Sequence, residues 1–371
     1  MFTSLPAALY RKTAGLWSSL RNRLPDQVVT PPIMASRPTD IVYVDDCQPG
    51  ITRKRSGKGW AYYDCEGKLI RNAKERKRLN AIALPPAYRK EWFCPQPNGH
   101  ILATGFDAKE RKQYRYHPDF RAWREGEKFD GCTAFGRALP ALRERVLKDM
   151  RSPKLTRDRA VAAVVKLLDL GAIRVGNTCY SKANQSFGAT TLQQRHAEVT
   201  GKTLRLRFVG KGGKDRDVKL SDASLARVVR QLQDLNEQEL FAWVGDDGEP
   251  QDVNSGHVNA YLREKMDGAF SAKNFRTWHA SVMAFRMLAE AEEKLTIKAV
   301  LQRVADHLGN TPAVTRKSYI HPAVIELVAR QEEWRANLKL PRPETHLNQY
   351  ELGLLEMLEQ GPEAFQYLKA A

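Results

Sequence analysis

The chain has 371 residues, of which 60 are Lys or Arg and 43 are Asp or Glu, giving a formal net charge of +17. A chain of this length is too long to fold around one small hydrophobic core, so two or three domains are predicted. Hydrophobic residues make up 42% of the chain, which excludes wholesale disorder. No apolar run reaches the roughly 18 residues that cross a bilayer. The excess positive charge favours a polyanionic partner and argues against self-association.

The first 39 residues are predicted to be a basic arm followed by a linker. Residues 1–24 contain four Arg or Lys and no acid, and they lack the long apolar segment of a secretion signal. A DNA-contacting arm or an unstructured tail explains this composition better than an organelle transit peptide does. Three prolines, Pro31, Pro32 and Pro38, indicate the linker.

The cysteines argue against a disulfide scaffold and against a zinc ribbon. They are odd in number, scattered, and never form a C-x-x-C pair, so a reducing, cytoplasmic compartment is expected. They are Cys47, Cys65, Cys94, Cys132 and Cys179.

Residues 40–118 are predicted to form a small β-rich domain. Strands are expected at Ile41–Val44, at Gly59–Tyr63 and at His100–Ala103, where apolar and aromatic residues lie between turn-forming segments. The basic stretch 71–90 predicts one or two helices. A flexible segment near residues 118–130 is expected to join this domain to the next.

Residues 119–340 are predicted to form a larger, mostly helical domain, followed by a tail of unassigned role at 341–371. Apolar residues recur at helical spacing from Leu139 to Met150 and from Val161 to Leu168. Alternating residues in 203–220 predict a β-hairpin with a glycine-rich tip. The fold class is therefore α+β. Further helices are expected to begin near Ser221, Asn254, Asn274, Thr296 and Thr311.

Several common sites are excluded by their motifs. The hairpin tip Gly210–Lys214 looks like a phosphate cradle, but Asp215 stands where a P-loop needs Ser or Thr. No H-E-x-x-H, EF-hand or G-x-S-x-G pattern occurs. We therefore predict neither a metal site nor a cofactor.

The remaining candidates are cationic residues at the ends of elements, together with one tyrosine. Arg174 follows a buried helix, Lys211 lies at the hairpin tip, Arg276 begins a helix, and Tyr319 lies in the segment Ser-Tyr-Ile-His-Pro. Each has an ordinary structural explanation when taken alone: a helix cap, a solvated turn lysine, a DNA-facing surface residue and a core tyrosine.

Taken together and in this order, these segments resemble the type IB DNA topoisomerases, particularly the compact bacterial and poxvirus-like branch. The catalytic domain of that family is related to the tyrosine recombinases. Pro95–His100 and Arg111–Pro118 also resemble the small DNA-clamping domain of that branch, so the resemblance spans roughly residues 40–340.

The resemblance implies a chemical role for each candidate. Tyr319 would attack a DNA phosphodiester to form a 3′-phosphotyrosyl bond, which the freed 5′-hydroxyl later reverses without ATP or a metal. Arg174 and Arg276 would grip the scissile phosphate. Lys211 would protonate the departing 5′-oxygen, with Lys214 as the alternative acid. Asn310 would donate a hydrogen bond to a phosphoryl oxygen, where the poxvirus pattern has a histidine.

The resemblance also implies how DNA is held. Gln113, Tyr114 and Tyr116 match residues of the clamping domain, and the two tyrosines should project together because they alternate on one strand. Lys214 and His279 are further candidate DNA contacts. The expected partner is double-stranded DNA, which a monomer of the protein would clamp. No association with a membrane is expected.

Three questions stay open from the sequence. Either His279 or His307 could assist at the position of Asn310. A tyrosine recombinase uses similar residues, although it typically shows His-x-x-Arg where this chain has Arg276-x-x-His279. A non-enzymatic DNA architectural protein would explain the net charge equally well, although the complete Arg-Lys-Arg-Tyr set argues against it.

Overall fold

A computed structural model describes residues 40–370, apart from short gaps at 58, 109, 179–180, 182–184, 236 and 246. The predicted basic arm and linker at 1–39 therefore lie outside the described residues, and so does Cys179. The other four cysteines are free thiols.

The N-terminal region is built from short antiparallel strands around a small core. A two-stranded sheet joins β1 to β2, and a three-stranded sheet has the order β3-β4-β5. One helix, α1, packs its buried Leu79 into this core. The bounds are β1 Thr52–Ser56, β2 Gly59–Tyr63, α1 Ala73–Ala81, β3 Arg89–Phe93, β4 Ile101–Phe106 and β5 Lys112–Tyr116.

One predicted strand of this region is wrong. Within Ile41–Val44 only Val42 pairs, through an isolated bridge to Gly99. Val42 and Tyr43 are 41% and 51% exposed. Only Ile41 of the run is buried, so the alternation of buried and exposed side chains that holds a strand in a sheet is not sustained. The predicted strands at Gly59–Tyr63 and near residues 100–103 and the predicted helix in 71–90 are confirmed.

The connection between the two regions is a single long helix, α2, which spans Pro118–Met150. The expectation of a flexible segment at 118–130 is therefore wrong. His117 caps the helix by accepting a hydrogen bond from the Asp119 N–H at 3.2 Å, and Pro118 occupies the first turn. Farther along, Arg121 and Glu125 pair at 3.2 Å with i,i+4 spacing. A strong cap and such pairs sustain a helix that has few buried apolar side chains in its first two turns.

The C-terminal region is mostly helical and contains the main hydrophobic core. Its central contact is a close approach between α2 and the helix Ala272–Glu290. A Cβ atom added at Gly136 of α2 would lie 2.4 Å from the Trp278 ring, so only glycine permits this approach. The remaining helices are α3 Arg157–Gly171, α4 Ala223–Gln233, α5 Ser255–Lys265, α6 Ala272–Glu290, α7 Ile297–Leu308, α8 Pro312–Ser318, α9 Pro322–Leu327, α10 Gln331–Asn337, α11 Gln349–Gln360 and α12 Ala364–Ala370.

The predicted hairpin is confirmed as β7 and β8, which belong to a three-stranded sheet of order β6-β7-β8. The predicted helix starts are confirmed to within about two residues, and Asn254, Thr296 and Thr311 are N-caps whose side chains accept backbone N–H bonds. The α+β class is therefore confirmed. The strand bounds are β6 Ala197–Thr200, β7 Thr203–Gly210, β8 Lys214–Ser221, β9 Ala242–Val244 and β10 Pro250–Asp252.

The C-terminal helices α11 and α12 pack on α2 rather than leaving the fold. Glu351 of α11 and Asp169 of α3 each accept two hydrogen bonds from the Arg143 guanidinium, with closest ion-pair distances of 2.7 and 2.8 Å. Trp278 donates to Glu351 at 3.2 Å, and Asp169 lies 3.0 Å from His279. Such a charge network is stable only because every member is paired. It ties the tail to α3, which precedes Arg174, and to α6, which carries Arg276.

None of the helices that the structure describes has both the length and the apolar character required to cross a membrane.

Candidate active site

Four of the predicted functional residues meet at one cavity of about 630 Å³. Tyr319 and Arg276 form part of its wall on the helical side, Arg174 follows α3, and Lys211 reaches it from the hairpin tip. Positive groups from distant parts of the chain therefore surround one phenol. The other lining residues are Val175, Gly176, Asn177, Ser186, Phe187, Gly212, Gly213, Ala272 and Lys273.

Arg276 is the most firmly held of these cations. Its side chain is buried, with 3% exposure, and its two terminal nitrogens donate to the carbonyl oxygens of Ala172 and Leu308 at 2.5 and 3.0 Å. Its guanidinium carbon lies 4.9 Å from the centre of the Tyr319 ring. Burial, and then the charge of Arg174, lower the pKa of Arg276 to about 10, so it stays charged at neutral pH.

Arg174 and Asn310 form a pair beside this arginine. Arg174 donates from Nη2 to the Asn310 side-chain oxygen. The Asn310 side-chain nitrogen is buried and has no hydrogen-bond partner among the described residues. Because the amide oxygen is occupied by Arg174, Nδ2 is the group of Asn310 that remains to donate to a ligand.

The two candidate lysines at the hairpin tip differ in their surroundings. Lys211 is exposed and lines the cavity, and it is followed by Gly212 and Gly213 at φ of 80° and 72°. These left-handed conformations favour glycine and set the turn. Lys214 does not line the cavity, and its Nζ donates to the Asn310 carbonyl oxygen at 3.0 Å. Lys211 is thus the lysine that faces the phenol's cavity.

Tyr319 lies directly after α8, where its N–H donates to the Thr315 carbonyl at 3.0 Å. Its side chain is half-buried against the main core. Burial is the largest single influence and raises the pKa of the phenol, but the charge and hydrogen bond of Arg276 together with the charges of Arg174 and Lys273 outweigh it. The pKa of Tyr319 is therefore held below its usual range near 10. A lower pKa makes the phenol easier to deprotonate for nucleophilic attack.

The histidines that the sequence left open do not line this cavity. His279 lies 3.0 Å from the Asp169 carboxylate and stacks on Phe275. The His307 carbonyl accepts from Arg216 at 2.6 Å. His279 therefore belongs to the buried charge network around Arg143, and its predicted contact with DNA stays a prediction.

The predicted clamp residues lie on β5 in the N-terminal region. The rings of Tyr114 and Tyr116 stack at 5.7 Å with an interplanar angle of 10°, and they are 41% and 43% exposed. Their common direction is confirmed. Gln113 instead donates to Asp107 at 3.0 Å. The ring of Phe120 in α2 lies 5.7 Å from that of Tyr116, tilted by 35°.

Sequence reasoning missed two cations near Tyr319. Lys273 lines the cavity from the first turn of α6, one helical turn before Arg276. The i,i+3 spacing of these two residues was a readable signal. Lys128 of α2 donates from Nζ to the Ser318 carbonyl oxygen at 2.5 Å. No signal in the local sequence points to it, because 190 residues separate the two partners.

Comparisons with known proteins identify the family to which the chain belongs. Residues 117–339 match the family model described as the eukaryotic DNA topoisomerase I catalytic core, and residues 59–107 match the N-terminal domain of bacterial DNA topoisomerase IB. DNA topoisomerase 1B of Acanthamoeba polyphaga mimivirus is 28% identical over 299 residues, which cover 77% of this chain and 89% of that protein.

More distant similarities are weaker. DNA topoisomerase 1B of vaccinia virus (strain Copenhagen) is 19% identical over 239 residues, covering 62% of this chain and 72% of the viral one. A solved complex of the XerH site-specific recombinase with its difH substrate reaches a TM-score of only 0.32 at 14% identity, with 47% and 48% of the two chains covered. At that score the recombinase likeness adds nothing to the assignment. The family models cover both regions of the fold, and the chain belongs to the type IB DNA topoisomerases.

Proposed function

We propose that this type IB topoisomerase relaxes supercoiled DNA with Tyr319 as its nucleophile. The observation that carries the proposal is the cavity in which Arg276 lies 4.9 Å from the Tyr319 ring while Arg174 and Lys211 line the same wall. A phosphodiester is an anion, and it would enter a site that is lined by four cationic side chains, these three and Lys273. Double-stranded DNA is the partner that the family implies.

The reaction begins with attack of the Tyr319 phenolic oxygen on the phosphorus. A bond forms between that oxygen and phosphorus, and the bond from phosphorus to the 5′-oxygen breaks. The phenolic proton leaves to solvent, and the ammonium of Lys211 gives a proton to the departing 5′-oxygen. The products are a 3′-phosphotyrosyl bond and a free 5′-hydroxyl. After the strand has swivelled, the hydroxyl attacks the phosphorus and reverses each transfer.

The arginines would supply the electrostatic part of catalysis. As phosphorus becomes pentacoordinate, negative charge grows on its non-bridging oxygens, and positive groups already aimed at that position stabilise it. Two carbonyl oxygens hold the Arg276 guanidinium in place before DNA arrives. The unpartnered Nδ2 of Asn310 would donate to the same oxygens. The retained ester-bond energy makes ATP unnecessary, and the fixed cations offer a route that needs no metal.

The N-terminal region would hold the duplex against this site. Stacked, exposed tyrosines are suited to contacts with sugars and base edges, and neighbouring cations are suited to phosphates. We propose that Tyr114 and Tyr116 supply such contacts and that one copy of the chain clamps the duplex. Action on chromosomal DNA in the cytoplasm is part of the same proposal.

The test is the trapping of a covalent intermediate. We expect the wild-type protein to form denaturant-resistant adducts on the 3′ side of a nick in buffer containing EDTA. Tyr319→Phe should form none while keeping its DNA affinity, because only the attacking oxygen is removed. Tyr350→Phe is the control, since it removes a phenol that donates to Glu290 and does not line the cavity. Adducts that persist in Tyr319→Phe, or that carry protein on the 5′ end, would reject this assignment.

A further inference from the structure

Lys128 is a cation beside the proposed nucleophile that the mechanism above does not use. It lies on α2, and its Nζ donates to the carbonyl oxygen of Ser318, the residue directly before Tyr319. The same Nζ lies 4.2 Å from the centre of the Phe129 ring. No ion pair joins Lys128 to an acid within the part of the chain that the structure describes.

This position is costly for a lysine that has only a structural role. Moving an ammonium group away from water without a carboxylate partner is unfavourable. Burial, and then the charge of Lys273, lower the pKa of Lys128 to about 8. The cost is offset in part by the Ser318 carbonyl, because the last carbonyls of a helix lack internal partners and attract cations. Ser318 is the final residue of α8.

Helix α2 holds the nucleophile segment from two sides of Tyr319. Lys128 holds the peptide that precedes the tyrosine, and the Phe129 ring packs edge-on against His321, two residues after it, at 5.6 Å. From α6, Ser281 accepts from the His321 N–H at 2.9 Å. The backbone on both sides of Tyr319 is thus held between α2 and α6, and this fixes the point from which its side chain extends.

The other end of α2 lies at the proposed DNA-contacting tyrosines. The helix begins two residues after Tyr116, and the ring of Phe120 in its first turn lies 5.7 Å from that of the tyrosine at a tilted angle. Lys128 lies about 12 Å farther along the helix axis than Phe120, at 1.5 Å per residue. Because α2 is continuous between these points, a displacement of the tyrosines by DNA would be carried to the Ser318 carbonyl.

We propose that Lys128 is a positioning residue for the nucleophile, which fixes the peptide before Tyr319 and couples the DNA contacts of the N-terminal region to strand cleavage. The proposal rests on the proposed role of Tyr319. It predicts that loss of the ammonium group lowers the rate of cleavage in the bound complex while DNA binding is little changed.

The experiment compares three full-length variants in single-turnover cleavage at saturating DNA. Lys128→Met keeps the shape of the side chain without its charge, Lys128→Arg keeps a cationic donor, and Lys148→Met changes an exposed lysine of the same helix. Lys128→Met should cleave about 10- to 100-fold more slowly, since a small misplacement of a reacting group costs about that much. Lys128→Arg should recover most of the rate, and Lys148→Met should match the wild type.

DNA affinity and melting temperature are measured on the same proteins. An unchanged cleavage rate in Lys128→Met would overturn the proposal. So would a loss of affinity equal to the loss of rate, which would make Lys128 a plain DNA contact. A Lys128→Arg variant that is folded but as slow as Lys128→Met would assign the effect to packing. Failure of the wild type to form any adduct would instead reject the role of Tyr319, so the two failures are distinguishable.

The coupling to DNA contacts has its own readout. Tyr116→Ala should slow cleavage at saturating DNA in the wild-type background but have a smaller effect in the Lys128→Met background. Strict additivity of the two substitutions would show that the two ends of α2 act independently, and it would remove the coupling from the proposal.

Discussion

The two walls of the cavity are built in opposite ways. On the helical wall, Arg276 is 3% exposed and both of its terminal nitrogens are held by carbonyl oxygens. On the hairpin wall, Lys211 is exposed and precedes two glycines in left-handed conformations. Lys211 also has no hydrogen bond or ion pair within the described part of the chain.

This difference follows from what each group is proposed to do. A charge that stabilises a developing phosphorane acts best when it is fixed before the reaction, since it then costs no reorganisation. A proton donor must instead reach the leaving oxygen and exchange its proton with solvent, which an exposed tip allows. The arginine that stabilises the developing charge is therefore held rigidly, and the lysine that transfers a proton is exposed to solvent.

Substitution of Arg276 on the helical wall should have the largest effect. Arg276→Lys keeps a positive charge but cannot hold two carbonyls and face the cavity at once, because an ammonium is a point charge without a planar fork. We expect cleavage to slow by about 10²- to 10³-fold, the loss typical for one fixed donor at a developing anion. Single-turnover adduct formation measures it. Arg286→Lys, an exposed change on the same helix, should be silent. If Arg276→Lys cleaved at the wild-type rate, the fixed guanidinium would not be needed.

Substitution of Lys211 at the exposed tip should have a smaller effect, and a substrate with a better leaving group should restore the cleavage rate. Lys211→Ala should slow cleavage by about 10²-fold, the lower end of general-acid contributions. A substrate with sulfur in place of the 5′-bridging oxygen should restore the rate, because a thiolate leaves without a proton. Lys202→Ala, in the turn between β6 and β7, is the exposed control.

The same assay separates the two lysines of the tip. Lys214→Ala should lose less rate and show no sulfur rescue, because Lys214 is bonded to the Asn310 carbonyl. Rescue of Lys214→Ala in place of Lys211→Ala would exchange their roles and remove the contrast between the walls.

The features that could be predicted from the sequence are those with a local signal. Arg174, Arg276 and Tyr319 were identified as candidates because each lies at the end of an element within a short motif, and the order of the motifs is a linear signal. The α+β class and most helix starts follow from apolar spacing and N-cap residues, which are likewise local.

What could not be predicted depends on contacts between distant residues. Lys128 reaches Ser318 across 190 residues, and Glu351 of the unassigned tail grips Arg143 across 208. The flexibility expected at residues 118–130 follows from the clamp that the resemblance implies and not from these residues themselves. A cap at His117 and i,i+4 ion pairs such as Arg121–Glu125 keep them helical. Partners that lie far apart in the sequence are brought together by tertiary packing, and the spacing of residue types along the chain does not reveal them.

The smallest expected effect concerns His321, behind the helical wall, and is measured as the change in protein stability with falling pH. Burial lowers the pKa of His321, which follows the nucleophile by two residues, to about 3. In the unfolded chain this imidazole takes up a proton below about pH 6.5, whereas in the folded protein it stays neutral until far lower pH. The unfolded state therefore binds more protons between these values, and the stability falls as the pH falls through that window.

His321→Asn should make this dependence shallower. Asparagine does not titrate, and its side-chain oxygen can replace the imidazole nitrogen that accepts from the Ala323 N–H at 3.2 Å. Between pH 7 and 5 the melting temperature of the wild type should fall by about 2–5 °C more than that of the variant. His346→Asn is the control, since His346 is only partly buried and asparagine tolerates its left-handed backbone at φ of 70°. Parallel curves for wild type and His321→Asn would mean that His321 charges without penalty, and the wall behind the nucleophile would then be wetter than its burial implies.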